Sequence, residues 1–153
     1  MTEATEASER QSVKASERAG ALPEPRSDAP HAPTLRRILL AEDDPRIRAA
    51  LEIRLTAAGY QVQVAVDGVS SYLAAMSDHP PDLILMDIFM ARGSGLEVAQ
   101  QLEALDLVIP IIFLTASRQP GLRERAAELH AAGFFEKPFD FDDILAAIAE
   151  KLG

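Results

Sequence analysis

The feature that most constrains this chain is a regular exchange of two periodicities from residue 35 to the C-terminus. Short apolar runs alternate with stretches of helical spacing, five of each. "RRILLA" (36–41) reads as a strand. Asp44 then offers an N-cap and Pro45 the first helical position. Ile47, Leu51 and Leu55 follow at helical spacing, and Gly59 closes the helix. "YQVQVA" (60–65) alternates at Val62 and Val64. Residues 67–79 predict a helix with Val69, Leu73 and Met76 on one apolar face, and "DLILM" (82–86) predicts a third strand. Ser94 and Glu97 form a capping box for a helix over 95–105. A strand over 109–114 and a helix over 121–133, closed by Gly133, come next. "FFE" (134–136) is a short fifth strand, and Asp140 caps a last helix carrying Ile144, Leu145 and Ile148.

Strands alternating with helices imply right-handed crossovers and a parallel sheet. The first, third and fourth runs are apolar on both faces, as strands covered by helices on both sides must be. The expected fold is therefore α/β: a doubly wound, five-stranded parallel sheet in the order 2-1-3-4-5 with five helices. In such sheets the functional site lies at the carboxyl ends of the strands, at the switch point between the first and third.

Residues 1–34 break the pattern. They are rich in Ala, Glu, Ser and Pro, and their only large aliphatic residues are Val13 and Leu22. Too little apolar surface is available to offset the entropy of ordering, so a disordered N-terminal tail is expected, followed by one domain over 35–153. The chain has no cysteine, which excludes disulfides, zinc–thiolate sites and a cysteine nucleophile. No apolar run is long enough to cross a bilayer, and Glu3, Glu6 and Glu9 make the N-terminus unlike a secretory signal. A cytoplasmic protein with no membrane partner is expected. The net charge of −9 argues against binding nucleic acid through its phosphates. His31, His79 and His130 lack a second ligand at metal-binding spacing and read as surface residues, and Arg123 and Arg125 as a solvated helix face.

The switch-point rule gathers a specific set of polar side chains. Glu42, Asp43 and Asp44 follow the first strand, Asp87 the third, Thr115 and Ser117 the fourth, and Lys137 the fifth. Clustered acids repel, by roughly 4 kcal/mol per pair about 4 Å apart at an effective dielectric near 20. A hard divalent cation such as Mg²⁺, held by oxygen ligands from Asp43 and Asp87 with Glu42 nearby, would cancel that repulsion. The same set suits phosphoryl transfer to the Asp87 carboxylate, with Lys137 and the Thr115 hydroxyl opposing the added charge. Asp44 is better explained as the helix cap than as a ligand.

Four ordered motifs carry a resemblance to a known family. "ILLAEDDP", "DLILMDIFM", "FLTAS" and "FFEKPF" resemble those of response-regulator receiver domains such as the chemotaxis regulator CheY, over residues 35–153. The resemblance implies that Asp87 accepts phosphate from a histidine kinase or phosphotransfer protein. It implies that Glu42, Asp43, Asp87 and the backbone carbonyl of Phe89 hold Mg²⁺. It further implies that Thr115 and Phe134 act as switch residues, that Lys137 pairs with the phosphate, and that the Lys137–Pro138 bond is often cis. The expected function is a two-component signalling switch that catalyses only its own phosphorylation and dephosphorylation. Because the sequence ends one residue past its last helix, output is expected through another protein, at the face of the fourth helix, fifth strand and fifth helix. A phosphorylation-independent interaction module and an aspartyl-phosphate phosphohydrolase are the alternatives. "MARGSG" (90–95) stands where the family usually has "MPGMDG". Phe89 replaces a residue that is often polar there, which implies a long-lived acyl phosphate.

Overall fold

The computed structural model describes residues 35–153; the expected disordered tail over 1–34 lies outside the described residues. Five strands alternate with five helices: β1 Arg37–Ala41, α1 Pro45–Ala57, β2 Gln61–Ala65, α2 Gly68–Ala75, β3 Leu83–Asp87, α3 Gly95–Ala104, β4 Ile111–Thr115, α4 Leu122–Glu128, β5 Gly133–Glu136 and α5 Phe141–Leu152. All strand pairs are parallel, and the order is β2-β1-β3-β4-β5. The fold is the expected doubly wound one, with β1 and β3 adjacent at its centre.

Every residue of β3 and β4 is buried, because both faces of these strands are covered. Alternate residues point to opposite faces and build two cores. Leu39, Ile84, Met86 and Phe113 enter one with Leu96, Val98 and Leu102 of α3. Ile38, Leu40, Leu85, Ile112 and Leu114 enter the other with Leu51 and Leu55 of α1 and Ile144, Ile148 and Leu152 of α5. Leu145 is only partly buried there.

Helix ends follow local chemistry. The Asp44 carboxylate accepts from the amides of Arg46 at 2.9 Å and Ile47 at 3.4 Å, capping α1 as the sequence predicts. These backbone bonds hold its carboxyl below the usual range, the Arg46 amide contributing most. The Ser94–Glu97 capping box on α3 is present in both directions.

Two helices depart from expectation. The predicted helix over 67–79 ends at Ala75, and it faces the other way. Val69, Leu73 and Met76 are 44%, 62% and 44% exposed, whereas Gly68, Ser71 and Ala75 form the buried side. Space decides this. A Cβ on Gly68 would lie 2.3 Å from the Gly93 carbonyl oxygen, so α2 approaches the loop after β3 too closely for anything but its small stripe. Ser71 satisfies its hydroxyl on the Asp67 carbonyl at 2.6 Å. Val64 on the edge strand β2 is likewise exposed rather than core. The second departure is at α4, which ends at Glu128 with His130 in the left-handed region at φ 62°. Gly133 does not close that helix; it opens β5, paired with Ile112.

Candidate functional site

The strand ends deliver the acids and the lysine to one place. Parallel pairing sets Asp87 beside Leu114 and Thr115 beside Glu136, so β3, β4 and β5 terminate at the same edge. The Lys137 amide donates to the Thr115 carbonyl at 2.7 Å, which carries the β5 register one residue past the strand. The Lys137–Pro138 bond is cis, as the resemblance implies. Gly95 permits the close approach of α3: its amide donates to the Ile88 carbonyl at 2.7 Å, and a Cβ there would lie 2.5 Å from the Asp87 carbonyl oxygen.

Lys137 Nζ lies 2.8 Å from Asp87 Oδ2 and donates to it. It also donates to Glu42 Oε2 at 3.2 Å and stands 3.0 Å from Glu42 Oε1. That second contact is an ion contact out of line for hydrogen bonding, so Oε1 is buried without a hydrogen-bond partner. Glu42 is fully buried and Asp87 is 4% exposed, so one ammonium serves two desolvated carboxylates. Burial and then the charge of Asp87 push the Glu42 carboxyl up to about 7, against the Asp44 amide and Lys137, which favour its ionised form. For Lys137, burial works against the charge. The hydrogen bonds to Asp87 and Glu42 outweigh it and hold the ammonium above its ordinary value.

Among the described residues, carboxylate oxygens of Glu42, Asp43 and Asp87 come within 4.8 Å of one another. Two of these acids are buried, Asp43 is exposed, and Glu42 Oε1 is orphaned. An all-oxygen donor set with an unpaired buried oxygen fits a hard divalent cation. Asp44 takes no part in the cluster, in keeping with its work as a cap. The other predicted residues flank it. Thr115 is fully buried, and its Oγ1 accepts from the Ser117 amide at 3.0 Å. The Phe89 amide donates to Asp87 Oδ1 at 3.1 Å, while its side chain is 45% exposed. Phe134 is half-buried against the core, and the Arg123 guanidinium lies 4.6 Å above its ring. Arg123 is therefore exposed but stacked, not a freely solvated face residue.

Two structural supports were invisible to motif reading. Arg92 pairs with Asp67 at 3.1 Å, tying the loop after β3 to the start of α2. Arg48 of α1 reaches back to the acidic loop, donating from Nη1 to the Glu42 carbonyl at 3.0 Å and the Asp43 carbonyl at 3.4 Å. For Arg48, a basic residue one turn into a helix that follows acids is the only signal the sequence offers; the loop residue Arg92 left none.

This fold, with acids and a lysine meeting at its switch point, defines a receiver-type domain, and sequence comparison agrees. Residues 38–149 match the response regulator receiver domain family, and the chain belongs to it. Response regulator MprA of a Mycobacterium species (strain KMS) is 38% identical over 112 residues, 72% of this chain and 47% of that protein. The transcriptional regulatory protein PdtaR of Mycobacterium tuberculosis is 36% identical over 113 residues, 74% of this chain and 55% of that protein. The chain thus spans about half the length of the curated relatives it matches. Among solved structures it is similar to the non-phosphorylated HemR receiver domain of Leptospira biflexa. There the TM-score is 0.70 at 30% identity, covering 77% of this chain and 94% of that one. Chemotaxis response regulator CheY4 of Vibrio cholerae gives a TM-score of 0.69 at 27% identity, covering 77% and 99%. The chain is a receiver domain of two-component signal transduction.

Proposed function

We propose that this receiver domain is a switch set by phosphorylation of Asp87 and read by another protein. The observation that carries this reading is the Lys137 ammonium 2.8 Å from Asp87 Oδ2, on a carboxylate buried at the end of β3. In the proposed reaction an Asp87 oxygen bonds to the phosphorus of a phosphohistidine on a kinase or phosphotransfer protein. The phosphorus–nitrogen bond breaks, and the imidazole nitrogen leaves with the electron pair. Lys137 stays beside the acyl phosphate and offsets charge on its oxygens. The Phe89 amide orients Asp87 Oδ1, so the other oxygen serves as the nucleophile once Lys137 shifts to the incoming phosphoryl group. Thr115, whose Oγ1 accepts from the Ser117 amide, would donate its hydroxyl proton to a phosphoryl oxygen, and Phe134, under Arg123, would respond to that movement.

Glu42, Asp43 and Asp87, with the Phe89 carbonyl, are the residues that would hold Mg²⁺. Bound there, the ion supplies charge neutralisation for the phosphoryl group and for the acids. On this reading the domain turns over no substrate other than its own phosphoryl group, and its output surface is the face of α4, β5 and α5. The experiment is incubation with Mg²⁺ and acetyl phosphate, followed by intact-mass measurement and borohydride trapping. One phosphoryl group on Asp87 is expected, and none in Asp87→Asn. Label retained by Asp87→Asn, or no label in the wild type, overturns the reading; catalytic turnover of small phosphate esters would favour a phosphohydrolase instead.

A further inference from the structure

The acidic loop between β1 and α1 has to present two carboxylates, buried Glu42 and exposed Asp43, to one cluster while its own peptide groups point elsewhere. Its bonds account for most of that. The Glu42 amide donates to the Ala65 carbonyl at 3.1 Å, the Asp44 amide to Glu42 Oε2 at 3.1 Å, and Asp44 caps α1. The carbonyls of Glu42 and Asp43 are held from the helix side. Both accept from the same Nη1 of Arg48, a half-buried residue on the first turn of α1. A carbonyl and the side chain of the same residue leave the backbone in directions fixed by φ and ψ. Holding both carbonyls on one guanidinium therefore fixes the backbone from which the Glu42 and Asp43 side chains leave toward the cluster.

We propose that Arg48 is a positioning residue for the divalent-cation cluster: it orients Glu42 and Asp43 through their backbone carbonyls without touching the ion. The proposal rests on the reading of Glu42, Asp43 and Asp87 as a Mg²⁺ site. Its sign separates it from a plain charge effect. A cation close to an acidic cluster competes with Mg²⁺, so removing its charge alone would tighten metal binding. Removing a support that orients ligands weakens it, commonly by about 10-fold or more for groups one step behind the ligands.

The test is Mg²⁺ titration by calorimetry on the full chain, with thermal melting of the metal-free protein alongside. Arg48→Met, which keeps the stem and loses the donors, is expected to raise the Mg²⁺ Kd by about 10-fold. Arg48→Lys, with its single ammonium, is expected to recover part of that loss. Arg46→Met removes the same charge from an exposed position on the same turn and is expected to leave the Kd unchanged or slightly lower. A Kd in Arg48→Met equal to or below the wild-type value overturns the proposal while leaving the metal site standing. If that variant does not fold, the Lys variant decides: a wild-type Kd there overturns the proposal equally. A wild-type protein that binds no Mg²⁺ overturns the metal reading and this one with it.

Discussion

Two neighbouring regions invert the ordinary rule of burial. At the sheet edge, Glu42 is fully buried and Asp87 nearly so. On the outer side of α2, Leu73 is 62% exposed, flanked by Val69 and Met76. The inversions have different costs. A carboxylate taken from water needs a counter-charge or a proton, and both inner acids depend on one ammonium, Lys137. A leucine left in water forgoes a gain of about 1.5–3 kcal/mol but imposes no desolvation debt on its neighbours. The first arrangement is held under electrostatic tension that chemistry can release. The second is slack, decided by the close packing of Gly68 against the Gly93 carbonyl.

The largest effect expected from this contrast is at Lys137. In Lys137→Met, two buried carboxylates lose their shared cation, and breaking a buried pair from one side costs about 3 kcal/mol or more. The loss should be greatest near pH 8, where Glu42 is ionised, and smaller near pH 5, where it takes up a proton. Mg²⁺ should return much of it. Chemical denaturation at the two pH values measures this. A loss below about 0.5 kcal/mol at pH 8 would mean that the acids are compensated elsewhere, and the sheet edge would be no more strained than α2.

A second effect of about 1–3 kcal/mol belongs to Glu42 itself. Its carboxyl is raised from 4.5 to about 7, by burial first and the Asp87 charge second. Between those values the folded protein binds more protons than the unfolded chain, so metal-free stability should fall as the pH rises from about 4.5 to 7. The Lys137 ammonium, held above 10.5, stays charged throughout and adds no slope in that window. Saturating Mg²⁺ should flatten the decline, because the ionised carboxylate then faces a cation, and Glu42→Gln should remove it. A metal-free stability that rises over this interval, in wild type but not in Glu42→Gln, would reverse the sign assigned to the site.

The two regions were unequally legible in the sequence. The sheet edge could be read because strand ends are marked by where apolar runs stop, and parallel topology sends all those ends to one side. Glu42, Asp43, Asp87 and Lys137 therefore meet as expected. The orientation of α2 could not. Val69, Leu73 and Met76 establish that one stripe is apolar, yet Gly68, Ser71 and Ala75 form a second stripe of small residues. Only the distance to the loop at 92–93 decides which turns inward. Gly133 misled for a related reason: glycine suits a helix terminus, but here His130 takes the left-handed position and Gly133 packs against Ile112. The partners of Arg48 depend on where two carbonyls point, which no side-chain pattern records.

The smallest expected effect is the most direct test of the slack region. If the outer face of α2 contributes nothing to the fold, Leu73→Gln should change stability by no more than about 0.5 kcal/mol, with either sign. Leu102, on the neighbouring helix α3 but 1% exposed, provides the contrast. Leu102→Ala should cost about 2–5 kcal/mol through lost burial and the cavity left behind. Denaturant unfolding of both variants at several protein concentrations separates two cases. A small, concentration-independent change for Leu73→Gln keeps α2 as a face whose direction is set by close packing alone. A loss above about 2 kcal/mol that grows with concentration would show that Leu73 is buried between molecules. In that event the exposed stripe would be an interface, and the contrast between a strained edge and a slack helix would hold only for the isolated domain.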